Sequence, residues 1–263
     1  MLEWLFGSRR KLLEKPTTAE EQSLLDQSLW QAHYLPNEDR QKLIRWCRIF
    51  CAEKNWEGCN GQKIDDSIRW SIAAPAALMV LAYPGWYFDK TKTILVYPTP
   101  YIARVETRLD GLSGNIPAIM GEFPRAGETI YRGPVIVNCQ DIDAAKRSSN
   151  EGYHLAIHEF AHQLDLINSP FADGLPPLPA DIDELDWKNS MHREFQAARQ
   201  DVANGHRIWM DDYGLTKESE FFAVASESYF QCPSELFKNH PRVFELLLQF
   251  YRTDLRTWLP AWN

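Results

Sequence analysis

Residues 153–164 read Tyr153-His154-Leu155-Ala156-Ile157-His158-Glu159-Phe160-Ala161-His162-Gln163-Leu164. The apolar positions 153, 156, 157, 160, 161 and 164 recur at helical spacing and make one buried stripe. No proline or β-branched run interrupts 150–166. Asn150 is placed to cap the start, and Glu151 falls in a first turn that favours negative charge. Pro170 and the Gly/Pro-rich segment to Pro179 end the element. A helix is therefore expected over 150–166. On it, His158 and His162 stand four apart, a separation of roughly 40° in azimuth and about 6 Å in height, so both imidazoles can hold one zinc ion. Glu159, beside the first histidine, can point at a metal-bound water as a general base. Two coincidental histidines on a surface helix are the competing reading, and the apolar setting argues against it.

Two histidines hold zinc poorly; a hydrolytic site wants three protein ligands and one open position. Residues 163–191 contain no histidine, and His192 lies far along an intervening helical stretch. The better source is Glu218–Phe230, whose helical stripe carries Glu220 and Glu227, seven residues apart. These share a face but are separated by roughly 10 Å along the axis, so both cannot ligate one ion. Glu220 is assigned to the metal. Glu227 is left as either a supporting hydrogen-bond partner or a solvated helix charge.

Working outward, 19–33 and 38–54 read as helices, the second capped by Asn37 with Leu43, Trp46, Cys47 and Phe50 on one side. Gly58-Cys59-Asn60-Gly61 is a turn, and 66–83 reads as a mostly buried helix broken by Pro84-Gly85. Thr93–Tyr97 and residues 134–138 are β-rich runs, the second offering an edge for an extended peptide. Residues 104–130 are polar and glycine-containing, and a mobile hairpin or loop is expected there. Helices come next over 184–203, ending near Gly205, over 217–231, and from Pro241 with Phe244, Leu247, Leu248 and Tyr251 on one face. Helices, a few strands, then helices define an α+β class.

The 263 residues suffice for a sizeable core. Thirty-six acidic against 28 basic residues argue against direct nucleic-acid binding, which needs positive potential. Five cysteines without a repeating framework fit a reducing, cytoplasmic setting, and Cys47 and Cys51 read as core thiols on an apolar helical face. The first 11 residues carry their charges in the wrong order for a secretory signal and read as a mobile terminal arm. Residues 72–83 are too few to span a bilayer, so no stable membrane insertion is expected.

The sequence His-Glu-Phe-Ala-His-Gln-Leu-Asp at 158–165, Tyr213, Glu-Phe-Phe-Ala-Val-Ala-Ser-Glu at 220–227 and Pro-Ser-Glu-Leu-Phe at 233–237 together resemble the Mlc titration factor A family. These are bacterial zinc peptidases related to the catalytic domain of lethal-factor-type toxins. The likeness reaches upstream to Lys54–Gly58, Ile72–Ala74, Tyr97-Pro98 and Gly133–Val135, and so covers most of residues 40–255. It implies a zincin-like fold with an active-site helix, a small mixed sheet and a preceding helical region. The expected division is an N-terminal helical region at 1–88 packed on a catalytic region at 89–263, in one continuous globular unit. The resemblance implies one Zn2+ per chain, held by His158, His162 and Glu220 in a gluzincin arrangement, with Glu159 as catalytic base. It places Tyr213 on the open side of the metal, where a phenol can ligate the ion or donate to an oxyanion. It also gives Asp165 the task of orienting a neighbouring group, a helix-end charge being the plainer alternative.

The expected function is peptide hydrolysis on a peptide or protein substrate, with aminopeptidase and endopeptidase action both open. The alternative is a regulatory protein that sequesters an Mlc-like transcriptional repressor of sugar uptake, with hydrolysis secondary. A different zinc hydrolase, such as an amidase, is a third reading that the paired second-helix motif makes weaker.

Overall fold

The computed structural model describes residues 2–100, 133–147, 152–257 and 259. The chain runs α1 (Leu2–Glu14), α2 (Ala19–Ser28), a 3-10 turn, α3 (Asn37–Glu53), β1 (Asn55–Gly58), α4 (Asp66–Met79), β2 (Thr93–Tyr97) and β3 (Val135–Asn138). It continues through α5 (Cys139–Arg147), α6 (Leu155–Asp165), α7 (Glu184–Ala203), a second 3-10 turn (Asp212–Leu215), α8 (Glu218–Gln231), α9 (Pro233–Asn239) and α10 (Pro241–Tyr251). The class is α+β, as the alternation of patterns requires.

The sheet has the order β1-β2-β3, with Asn55 opposite Thr93 and Ile94 opposite Val135. Both pairings are parallel, so among the described residues the sheet is not the mixed one expected. α4 is the crossover between β1 and β2, as parallel neighbours demand. Ile94 and Val96 alternate inward, and all four β3 residues are buried. The strand Asn55–Gly58 is absent from the pattern of the sequence; four residues, mostly exposed, carry too little periodicity to read. The turn after it is present, with Asn60 and Gly61 at positive φ. The hairpin or loop expected at 104–130 lies outside the described residues.

The N-terminus is not the free arm that its composition suggests. Residues 2–14 form a helix docked on α3, where Arg9 donates to both carboxylate oxygens of Glu53 at 2.7 Å. Arg48 of α3 returns the contact, donating to the carbonyls of Leu12 and Lys15.

Two packing features hold α6 and α8 in place. First, Phe160 of α6 is fully buried between Phe50 of α3 and Phe88, with ring centroids 5.6 and 4.7 Å away. Phe88 takes a positive φ of 49°, and the buried Lys54 ammonium holds this bend by donating to the carbonyls of Tyr87 (2.9 Å) and Phe88 (2.8 Å). Second, α8 is buried on all sides from Ser219 to Gln231, the mark of a core helix. Several of its polar groups are satisfied within the core: Ser226 Oγ donates to the Phe222 carbonyl, Tyr251 donates to Ser226, and Tyr229 to the Thr253 carbonyl. α6 packs across α8, α4 and β3. Among the described residues no helix is long and apolar enough to cross a membrane.

Candidate metal centre

Every residue of α6 from Leu155 to Asp165 is buried, the two histidines and Glu159 included. The helix starts four residues later than local capping signals suggest, with His154 as its N-cap. Asn150 and Glu151 lie outside the described residues, Gly152 has φ +70°, and His154 is extended at φ −154° and ψ 100°. The reason is tertiary: the His154 backbone N–H donates to Glu227 Oε2 of α8 at 2.6 Å. A carboxylate from another helix thus takes one of the N–H groups a helix start leaves unpaired.

The spacing of four sets the His158 and His162 rings 4.8 Å apart, with their Nε2 atoms separated by 3.2 Å. Glu220, in the first turn of α8, brings Oε2 to 3.1 Å from His158 Nε2 and 3.2 Å from His162 Nε2. Three ligand atoms therefore form a nearly equilateral triangle. Tetrahedral zinc with bonds of about 2.0–2.1 Å separates its ligand atoms by roughly 3.3–3.4 Å, so the triangle is close to that size. Two imidazoles and one carboxylate also form a donor set used by hydrolytic zinc. This is the group among the described residues that could hold a metal ion.

Charge supports the same fit. His158 Nδ1 lies 2.8 Å from Glu227 Oε1. If it donates there, the neutral ring turns a lone pair toward the Glu220 carboxylate, an arrangement that needs a cation or a proton between them. Burial disfavours charge on His158, but hydrogen bonds to Glu220 and Glu227 outweigh it and push the imidazole up to about 10. Burial likewise works against ionised Glu220, and the two histidines overcome it, holding the carboxyl well below the usual range. Burial pushes His154 down to about 4, so this ring adds no positive charge. Glu159, Glu220 and Glu227 thus place three buried carboxyl groups around the two imidazoles.

Tyr213 stands in the 3-10 turn before α8, half-buried, with its ring 5.9 Å from that of His158. Asp211 caps the turn by accepting the Tyr213 N–H at 2.9 Å. Gly214 lets the turn lie against α8: a Cβ there would sit 3.2 Å from Val224 Cβ. The structure thus brings His158, His162, Glu220 and Tyr213 together, with Glu159 buried on the same helix.

Other contacts are beyond sequence reasoning or left open by it. Glu227 is not a solvated charge; its two oxygens bind His158 and the His154 backbone, so His158 lies between two carboxylates, one on each ring nitrogen. Lys217, which the sequence does not single out, brings its ammonium to 3.1 Å from Glu220 Oε1, although 63% of its side chain is exposed. Its i, i+3 spacing to Glu220 is the available signal. Asp165 is fully buried and accepts the backbone N–H groups of Gly174 (2.8 Å) and Leu175 (3.1 Å). Burial pushes its carboxyl up to about 6, against the Gly174 hydrogen bond.

The profile of the family described as glucose-regulated metallo-peptidase M90 matches residues 4–252. An uncharacterized protein of Synechocystis sp. is 30% identical over 249 residues, covering 94% of this chain and 89% of the relative. Mlc titration factor A of Edwardsiella ictaluri is 32% identical over 224 residues, or 84% of this chain and 82% of its own length. The protein of the same name from Serratia proteamaculans is 29% identical over 223 residues, with the same shares.

Proposed function

The chain belongs to the glucose-regulated metallo-peptidase M90 family, and on that premise we propose that it is a zinc-dependent peptidase. The observation that carries this reading is the triangle of His158 Nε2, His162 Nε2 and Glu220 Oε2, with sides of 3.1–3.2 Å. These three residues would hold the ion. When bound, zinc supplies Lewis acidity that activates water and polarises a peptide carbonyl. Glu159 is the general base: it takes the water proton and delivers it to the leaving amine. Tyr213 donates its phenolic proton toward the oxyanion that develops on the carbonyl. The test is hydrolysis of a mixed peptide library: cleavage abolished by a chelator and restored by zinc supports the proposal, and zinc-loaded protein without cleavage contradicts it. The position of cleavage in that library distinguishes aminopeptidase from endopeptidase action.

Glu227 is assigned to orienting His158, as a carboxylate behind a ligating histidine does in many zinc sites. Glu227→Gln keeps the shape but weakens the hydrogen bond to Nδ1. Zinc affinity should fall on the order of tenfold to a hundredfold, read by competition with a chromophoric chelator. Unchanged affinity would remove Glu227 from the centre.

A second reading is favoured by the relatives named Mlc titration factor A, whose name denotes titration of a protein. Here the chain would bind an Mlc-like repressor, with or without cleaving it. Co-purification from cells producing Glu159→Gln tests it: a stoichiometric repressor in the eluate supports binding, and its absence argues against.

A further inference from the structure

We infer that Asp165 and Gly174 are positioning residues, which set the distance between the helix carrying the two histidines and the helix carrying Glu220. The inference rests on the metal-centre reading above and concerns how that centre is preorganised.

Glu220 lies in the first turn of α8, and no side chain caps that turn. The N-cap residue, Lys217, makes no side-chain capping hydrogen bond. The side chain of Glu218 reaches His192 Nδ1 at 2.9 Å, but this pair is exposed and holds weakly.

The segment after α6 braces that turn from outside the helix. Asp165, the last residue of α6, spends both carboxylate oxygens on the backbone of this segment, Oδ2 on the Gly174 N–H and Oδ1 on the Leu175 N–H. Leu175 belongs to the hydrophobic core, and Pro176, Pro177 and Pro179 stiffen the chain beyond it. Gly174 is buried at φ +81° and pressed against the start of α8. A Cβ there would stand 2.7 Å from the Glu218 carbonyl oxygen and 3.3 Å from the Ser219 nitrogen. Both glycine properties, the left-handed backbone and the missing side chain, are therefore needed at this position. The contacts run without a gap from His162 through Asp165 to Gly174, onto the backbone of Glu218 and Ser219, and so to Glu220. They join backbone to backbone through one buried carboxylate, a stiff connection compared with a pair of long side chains. A shift of α8 would open the ligand triangle, because Glu220 is the one corner not carried by α6.

The experiment is a double-mutant cycle on zinc affinity, with Gly174→Ala made in the wild type and in Glu220→Ala. Thermal unfolding of each chelator-treated protein checks that it is folded. Gly174→Ala should weaken zinc on the order of tenfold when Glu220 is present and by less than about twofold when it is absent. Asp165→Asn, which keeps one acceptor oxygen, should give the same pattern and carries the cycle should Gly174→Ala fail to fold. Equal losses in both backgrounds, or no loss beside Glu220, would overturn the positioning role and leave the metal site intact. A wild type that takes up no zinc would instead contradict the metal-centre reading itself.

Discussion

Glu159→Gln should bind zinc as the wild type does and lose peptide hydrolysis by about 10²- to 10⁴-fold, the range for a positioned general base. The expectation comes from where Glu159 stands. It is buried on α6 beside His158, yet the converging ligand atoms belong to His158, His162 and Glu220. Glutamine fills the same volume and leaves those three untouched. It cannot accept and hand on a proton, so binding and chemistry should separate. The check is a pair of measurements on one preparation: zinc stoichiometry and the rate on a peptide the wild type cleaves. Full activity in the variant would move the base elsewhere.

The second large effect is expected from Glu220→Ala. Removing one of three ligands should weaken zinc by more than about a hundredfold, beyond what an outer partner such as Glu227 contributes. With free zinc about a hundredfold above the wild-type dissociation constant, the metal adds about 2.7 kcal/mol to the stability of the wild type and no more than about 0.4 kcal/mol to that of the variant. Thermal unfolding with and without zinc reads it directly: the wild type should gain a large upward shift on adding zinc, and the variant little. Without metal the two should differ less, since the variant also sheds a buried carboxylate pressed against two imidazoles. A zinc-induced shift as large in Glu220→Ala as in the wild type would place the third ligand elsewhere.

Local patterns tell most about this chain where local interactions decide. The pairing of His158 with His162 is a property of helix period, and Thr93–Tyr97 and Glu184–Ala203 form over the residues expected. The α+β class comes from the same periodicities. What escapes is set by contacts between distant residues. Asn150 and Glu151 point to an early start for α6, but Glu227, 73 positions from His154, fixes it. The terminal arm is a docked helix through Arg9 and Glu53, 44 residues apart. Glu227 is ambiguous in the sequence because a helix repeat places it on the face of Glu220 without saying what lies opposite. The answer is one imidazole between two carboxylates. Asp165 has the sequence signature of a helix-end charge, and only the fold brings Gly174 and Leu175 back onto it. The four-residue strand Asn55–Gly58 shows the other limit, since it gains its partner from residues 93–96 and little from its own side chains.

The central claim is that His158, His162 and Glu220 form a zinc site. It is tested most directly by elemental analysis of the purified wild-type protein, before and after dialysis against zinc with the excess removed. About one zinc per chain is the predicted result. No retained zinc under either condition would contradict the account.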